Sequence, residues 1–548
     1  MKRYFIGVDV GTSSVRASIV GEDGQLLSLS TSLIKIWNPK PDFYQQSSHD
    51  IWKNITNAVK VAVSKASVQP NEICGIGFDA TCSLVVLNKE MQPLTVSLDG
   101  EAEQNIIMWM DHRAQSQADF INATQHSVLN TVGGVMSLEM QPPKLLWLKQ
   151  NLPDTWQNIG HLFDLPDFLT WRATGCLTRS LCSLVCKWGY QADAGSMSWD
   201  DEFLACIGLS DLSHDEHSVI GNKVNNPGSP CGAGLSAEAA KELGLLAGTP
   251  VAASMIDAHA GALGCLGCKP REPSWQCNLE NILVMIAGTS TCHIICSKKH
   301  IPVPGVWGPY YSVILPEMWV NEGGQSAAGH LIEFLITNHK AYSLVKEEAN
   351  KSAQDVYEYL NTYLQKMADQ RNIEHLAKLT HDFQIWPDFH GNRSPLADAS
   401  LKGMISGLTL SNSADDLAVL YLAAVQSLAY GTKHIVSEMK NCGHKISLVY
   451  ICGGLAKNSL YVQTHADVLG LPVVLPNAEQ SILLGSAMLG ACASGHFPNL
   501  QAALASMGGQ GTVLSANQNI SSFHEKKFQV FLAMVQDQKK YQSIMSSV

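Results

Sequence analysis

Residues 5–20 read FIGVDVGTSSVRASIV, two apolar β-branched runs around a turn of Gly11, Thr12 and Ser13. Residues 4–10 and 15–20 have the pattern of strands joined by a tight turn, and Glu22-Asp23-Gly24 marks a second turn into a third strand. A turn of Gly, Thr and Ser exposes several backbone N–H groups and two hydroxyls with no bulky side chain in the way, which makes a cradle for phosphate oxygens. Such a turn taken alone also meets ordinary β-turn demands. The same triplet returns as Gly288-Thr289-Ser290 in IAGTSTCHIIC, again between apolar strands and again opening a half of the chain. A polyphosphate lying between two domains needs one cradle from each side.

The rest of the chain has room for two domains. Its 548 residues exceed the roughly 250 to 300 at which a single core stops growing. A hydrophobic content of 46% with 16% charged residues is ordinary globular composition. The net charge of -11 and pI near 5.9 oppose a nucleic-acid partner, which calls for a concentrated basic face. Asp9 interrupts the apolar stretch of MKRYFIGVDV before a signal peptide could form, and no run reaches the roughly 18 apolar residues of a membrane span. A soluble cytoplasmic protein with no membrane partner is the expectation. Of the 15 cysteines, Cys74, Cys82, Cys452 and Cys492 sit in apolar stretches, where Cys acts as a small hydrophobe. Cys265-x-x-Cys268 has metal-ligand spacing, but no second CxxC or His pair follows it, so reduced thiols are expected.

The N-terminal half reads as α/β. After the three strands, SSHDIWKNITNAVKVAVSKA places Ile51, Ile55, Val59 and Val63 on one helix face behind a Ser48 or Asp50 cap, and ICGIGFDATCSLVVL supplies two strands. From about 137 to 245 the pattern is mainly helical. The breaker-rich stretch 265–280 marks the boundary between an N-terminal domain (1–268) and a C-terminal domain (280–500), followed by a helical extension (501–548). In the second half, ADDLAVLYLAAVQSLAYGTKHIVSEMK reads as a core helix, and ISLVYICGGLAKN as strand, Gly-Gly turn and helix. Doubly wound folds bind ligands outside such strand ends.

Three chemical readings follow from these placements. Asp9, just before the first turn, suits Mg²⁺, which takes oxygen ligands and is shared with nucleotide phosphates. Arg16 points either to a phosphate or to solvent. Asp257 in SMIDAHAG ends a strand and enters a helix beside the domain boundary; it reads as an N-cap, or as a base that accepts a hydroxyl proton during in-line phosphoryl transfer. A Walker A motif and the protein-kinase signatures are absent, which removes those routes to nucleotide chemistry.

The chain resembles the FGGY family of carbohydrate kinases. The likeness runs from residue 4 to about 495, through GVDVGTSSVRASIV, IMWMDHRA, PPKLLWLKQNLP, DLPDFLTWRATG, SMIDAHAG, IAGTS, NEGGQSAAG, WPDFHGNRSPLADASLKGMISGL and ICGGLAKN. It implies an α/β fold of two actin-like ATPase (ribonuclease H-like) domains with a cleft between them. By the same resemblance, Gly11, Thr12, Ser13 and Arg16 hold ATP phosphates from one side and Gly288, Thr289 and Ser290 from the other. Gly407, Gly453, Gly454 and Asn458 belong to the nucleotide pocket, Asp9 and Asp257 stand near Mg²⁺, and Asp257 is the general base. FDATCSLVV and CKWGY look like the ribulokinase-like branch, so Ala80, Thr81, Cys82, Lys187, Asp257 and Glu322 would surround a ketopentose. The implied reaction is phosphorylation at C5, with D-ribulose first among ketopentoses and pentitols; a silent sugar- and ATP-binding sensor is the rival. Trp109, Asp111 and Arg113 read as a structural ion-pair group or as sugar contacts, the structural reading first. Residues 340–382 have no counterpart and read as a surface insertion or an oligomer contact, as in a homodimer.

Overall fold

In the computed structural model, which describes residues 2–275, 278–478 and 480–546, two sheets carry the two halves of the chain. Gln276 and Cys277, inside the expected domain boundary, lie outside the described residues, as does the end of the C-terminal extension.

The first sheet is built from β1 (Tyr4–Val10), β2 (Ser14–Gly21), β3 (Leu26–Leu33), β4 (Ile73–Ala80) and the short β5 (Met255–Ile256), in the order β5-β4-β1-β2-β3. β1, β2 and β3 run antiparallel through tight turns, while β4 lies parallel to β1. A parallel neighbour needs a crossover, supplied by α1 (Ser48–Ala66). Ser47 caps this helix through the Asp50 N–H, and the predicted Ile51, Ile55 and Val59 are buried against the sheet.

The second sheet repeats the plan. It contains β6 (Lys269–Pro270), β7 (Ile282–Ala287), β8 (Thr291–Ser297), β9 (Trp307–Tyr311), β10 (Trp319–Gln325), β11 (Leu448–Cys452), β12 (Val473–Pro476) and β13 (Gln510–Leu514). The order is β6-β13-β12-β11-β7-β8-β10-β9, with the hairpin β7–β8 antiparallel and β11 parallel to β7. Each half therefore centres on a hairpin whose first strand has a parallel partner on its other side.

Two helices tie the sheets together. α2 (Asp257–Leu266) continues from β5 of the first sheet and packs on β7 of the second, with Gly261 against Ile286. The later helix α4 (Ser481–Ala493), from the second half of the sequence, lies across β1 and β4 of the first sheet and against α2. Glycines make that approach possible. A Cβ on Gly77 would fall 1.8 Å from the Ser486 carbonyl oxygen, and one on Gly485 would fall 1.9 Å from that of Ala260. Between them in sequence, α3 (Ala414–Asn441) opens with a Ser413/Asp416 capping box and buries the face predicted for it, including Leu417, Leu420, Tyr421, Leu428 and Met439.

Two expectations change at this level. Residues 340–382 are not a surface insertion: helices Tyr342–Lys351 and Val356–Gln370 bury Val345, Leu360, Leu364 and Met367 in the core shared with α3. The segment after residue 500 is not only helical either, because β13 joins the second sheet antiparallel to β12 before the last helix, α5 (Ser521–Met545). The fourteen described cysteines are free thiols. No helix among the described residues is long and apolar enough to cross a membrane.

Candidate functional site

Three neighbouring parallel strands end at one level, each with a carboxylate. Register pairs Asp9 of β1 with Asp79 of β4, and Asp79 with Met255 of β5, so Asp257 follows one step past the Ile256–Ala80 pair. Asp79 is fully buried beside Asp9 and receives the Ser486 hydroxyl hydrogen. Burial first, then the Asp9 charge and a hydrogen bond to it, push the Asp79 pKa well above the usual carboxylate range, so Asp79 keeps its proton. Asp9 is partnered by Arg16, whose Nε donates to Oδ2 at 2.6 Å. Arg16 Nη1 donates to Gln480 at 2.8 Å, so this guanidinium, expected at a phosphate or in solvent, instead clamps Asp9 to the start of α4.

Asp257 is the first residue of α2, and its side chain does not cap the helix. It accepts only the Ala258 N–H, at 2.7 Å. Burial and the charge of Asp9 push its pKa up to about 6, the range in which a carboxylate is still ionised at neutral pH but is a stronger base than usual. Asp257 is half-buried, and its second oxygen has no donor among the described residues.

Both glycine hairpins close as drawn from the sequence. Gly11 N–H donates to the Ser14 carbonyl at 3.0 Å and Gly288 N–H to that of Ser290 at 2.9 Å. Neither glycine has a heavy atom within 3.4 Å of where a Cβ would stand, so the space over both turns is open. The first turn is braced from behind: Trp109 Nε1 donates to Thr12 Oγ1 at 3.1 Å and Gln46 Nε2 to the Thr12 carbonyl at 2.9 Å. Asp111 and Arg113 form a fully buried ion pair at 2.8 Å with Arg113 stacked 4.2 Å from the Phe43 ring, the structural role expected of them. The second turn is held by Gly329 N–H and Ala328 N–H, which donate to the Gly288 and Thr289 carbonyls at 3.0 and 2.8 Å.

Parallel pairing of Ile286 with Cys452 sets Gly453 and Gly454 beside this second turn. Gly453 has φ +94°, and a Cβ there would fall 2.5 Å from the Ala287 carbonyl oxygen, which restricts the position to glycine. Asn458 follows as a helix cap: its Oδ1 accepts from Leu460 and Tyr461 N–H at 3.1 and 3.3 Å, while its Nδ2 donates to Tyr421 at 2.7 Å. Its side chain thus fixes the start of the helix that follows. Gly407 stands apart from this group and lines a separate cavity with His339, Asp382, Asp415 and Leu420.

Across from the carboxylates lies a second polar group. Ala80, Thr81 and Cys82 continue from β4; the Thr81 N–H donates to the Val10 carbonyl at 3.0 Å, and burial lifts the Cys82 thiol to about 12. Lys187 is 3% exposed, its Nζ 4.1 Å from the centre of the Trp307 ring. Burial opposes its charge, but Cys82, Glu322 and Glu139 more than offset it and the ammonium stays protonated. Among the described residues it has no hydrogen-bond acceptor. Glu322, on β10, is paired with Arg393 and accepts from His259 Nε2 at 3.0 Å. Burial alone would raise its pKa; Lys187, Arg393 and His259 hold it well below the carboxylate range.

Asp79, His259, Trp307 and Arg393 were not singled out from sequence. For Asp79 a signal exists, since Gly7-Val8-Asp9-Val10 and Gly77-Phe78-Asp79-Ala80 are the same strand pattern. Arg393 stacks 3.8 Å from the Trp307 ring and lies 3.6 Å from Glu139, contacts that join three distant segments and leave no local trace.

Models of the N- and C-terminal domains of the FGGY family of carbohydrate kinases match residues 4–264 and 283–494. The chain belongs to that family. This FGGY kinase is 52% identical over 546 residues to an FGGY carbohydrate kinase domain-containing protein of Xenopus laevis, covering 99% of this chain and 98% of that one. It is 39% identical over 517 residues to a D-ribulokinase of Saccharomyces cerevisiae, covering 90% of this chain and 72% of the other. Its fold is shared with a crystal structure of Plasmodium falciparum glycerol kinase with ADP, at a TM-score of 0.75, 14% identity and coverage of 97% and 98%. The FGGY kinase thus has the actin-like, two-domain α/β fold that the family resemblance implies.

Proposed function

We propose that this sugar kinase transfers the γ-phosphoryl group of ATP to the primary C5 hydroxyl of D-ribulose. The observation that carries the reading is the meeting, at one cleft, of a half-buried carboxylate tuned to about 6 with a buried ammonium that has no acceptor among the described residues. A base beside an unspent donor is what a polyol needs. The choice of D-ribulose is supported by the D-ribulokinase likeness over 90% of the chain.

The open space above Gly11 and Gly288 fits phosphate oxygens, which would accept from the backbone N–H groups of residues 11–13 and 288–290. The donor set near them is all oxygen, as Mg²⁺ requires, and the free oxygen of Asp257 would hold one of the ion's waters, with Asp9 adding charge from behind. Mg²⁺ bound there supplies neutralisation of the charge shared by the phosphates. Lys187 and Glu322 orient the sugar hydroxyls, one donating and one accepting. Asp257 takes the proton of the C5 hydroxyl as that oxygen bonds to the γ-phosphorus and the bond from that phosphorus to the bridging oxygen breaks, releasing ADP. Because such transition states are loose, the two turns and the orienting pair contribute more than base strength does. Closure of the two halves excludes water and limits hydrolysis.

A coupled ADP-release screen over ketopentoses, pentitols, hexuloses and glycerol tests the reading. The highest kcat/KM is expected for D-ribulose. Another sugar in first place replaces the substrate, and ligand-induced shifts of the melting temperature without ADP release establish a sensor instead.

A further inference from the structure

Three soft donor side chains meet behind the sugar face and have no part in the phosphoryl transfer proposed above. A short helix, Leu181–Ser183, widens into a π turn at Leu184–Trp188, an irregularity that often marks functional positions. Cys182 and Cys186, four residues apart, lie on one side of this segment against His259 of α2. Cys182 Sγ lies 3.1 Å and Cys186 Sγ 3.9 Å from His259 Nδ1, and the three donor atoms are all within 4.8 Å of one another. All three residues are buried.

Zinc bound tetrahedrally, with Zn–S near 2.3 Å and Zn–N near 2.0 Å, sets its donor atoms roughly 3.5 to 3.8 Å apart. The observed separations bracket that range. His259 also has the support that ligating imidazoles carry: its other ring nitrogen is bonded to Glu322 at 3.0 Å, the carboxylate–histidine arrangement that fixes tautomer and ring orientation around a metal. Thiolate and imidazole donors select zinc over the hard cation expected at the phosphates. Cys265 and Cys268 have metal-ligand spacing in the sequence, but reduced thiols are the expectation there, and both are free thiols. Among the described residues, Cys182, Cys186 and His259 are the one group of at least three His, Cys, Asp or Glu donors with this spacing.

We propose that Cys182 Sγ, Cys186 Sγ and His259 Nδ1 form a binding site for Zn²⁺, separate from the nucleotide cleft. The ion braces the sugar face from behind, because Cys186 precedes Lys187 in the π turn and His259 holds Glu322.

The test uses the full-length chain, reduced and stripped with a chelator, then titrated with Zn²⁺ against a chromophoric chelator. One Zn²⁺ per chain is expected, with affinity falling at least 100-fold in Cys182→Ser/Cys186→Ser and unchanged in Cys265→Ser. Equal uptake by the wild type and the double variant overturns the site, as does no uptake by the wild type. Should the double variant not fold, Co²⁺ in the wild type decides: thiolate-to-metal charge-transfer bands with tetrahedral d–d absorption are expected, and an octahedral spectrum without them refutes the proposal. Neither readout depends on which sugar is phosphorylated.

Discussion

Asp79 stands opposite Asp9 across two parallel strands, and burial beside that carboxylate raises its pKa well above the usual range. The pair shows how the first sheet avoids two buried charges side by side. Two ionised carboxylates side by side in a buried site repel, so one stays neutral while Arg16 stabilises the other. Asp9 also acts on Asp257, adding to the burial that raises the pKa of the base.

This pairing makes stability depend on pH in a definite direction. Asp79 holds its proton when folded and releases it when unfolded, so its contribution is full below the unfolded carboxylate pKa of about 3.9 and declines as pH rises toward the folded value, by up to about 1.4 kcal/mol per pH unit. Asp79→Asn, which keeps a neutral hydrogen-bonding side chain, is expected to flatten that slope. Melting curves of both proteins from pH 5 to 8 should show the variant gaining on the wild type as pH rises; parallel curves would mean Asp79 is ionised.

Asp257→Asn should abolish turnover while leaving ATP affinity within a few fold. In the wild type, kcat/KM is expected to fall tenfold per unit as pH drops below about 6, because the base must be ionised to accept the hydroxyl proton. Retained activity in the variant would remove Asp257 from the reaction.

Lys187→Met is expected to raise the sugar KM at least tenfold, which corresponds to about 1.4 kcal/mol. The change also removes a charge whose burial Glu322 and Glu139 more than offset, and its contact with the Trp307 ring, so some loss of resistance to denaturant is expected beside the KM effect. A loss of stability with unchanged KM would make Lys187 a structural residue.

Gly11→Ala tests the cradle. The nearest atom to the added Cβ is the Ser14 carbonyl oxygen at 3.7 Å, an ordinary contact, so the melting temperature should not move. The methyl group would occupy the space assigned to phosphate, and the ATP KM is expected to rise at least tenfold while the sugar KM stays close to that of the wild type.

Gly485→Ala addresses the joint between the halves. Its Cβ would meet the Ala260 carbonyl oxygen, a backbone atom that cannot turn aside, so α4 must lift from α2. A loss of roughly 1 to 3 kcal/mol in denaturant unfolding is expected, in the range of overpacked cores.

The chain's order of residues was enough to establish what repeats. Strand period and glycine turns are local properties, so the two hairpins, the α/β plan, the long buried helix α3 and Asp257 at a strand-to-helix junction could all be read from short windows. The family likeness added Lys187 and Glu322, which period and spacing alone leave as solvated side chains. What folding decided are the contacts between distant segments. Arg16 turns inward because Asp9 lies directly opposite it in the hairpin and Gln480 arrives from α4. Asp79 is driven toward its protonated form because folding buries it and parallel pairing sets it against Asp9. Residues 340–382, charged enough to look peripheral, are core because one face of their helices meets α3. Cys182, Cys186 and His259 meet only because a π turn and the helix that bridges the sheets converge. In each case the deciding energy is a burial or a charge contact between residues far apart in the chain, and such terms exist only once the chain has closed on itself.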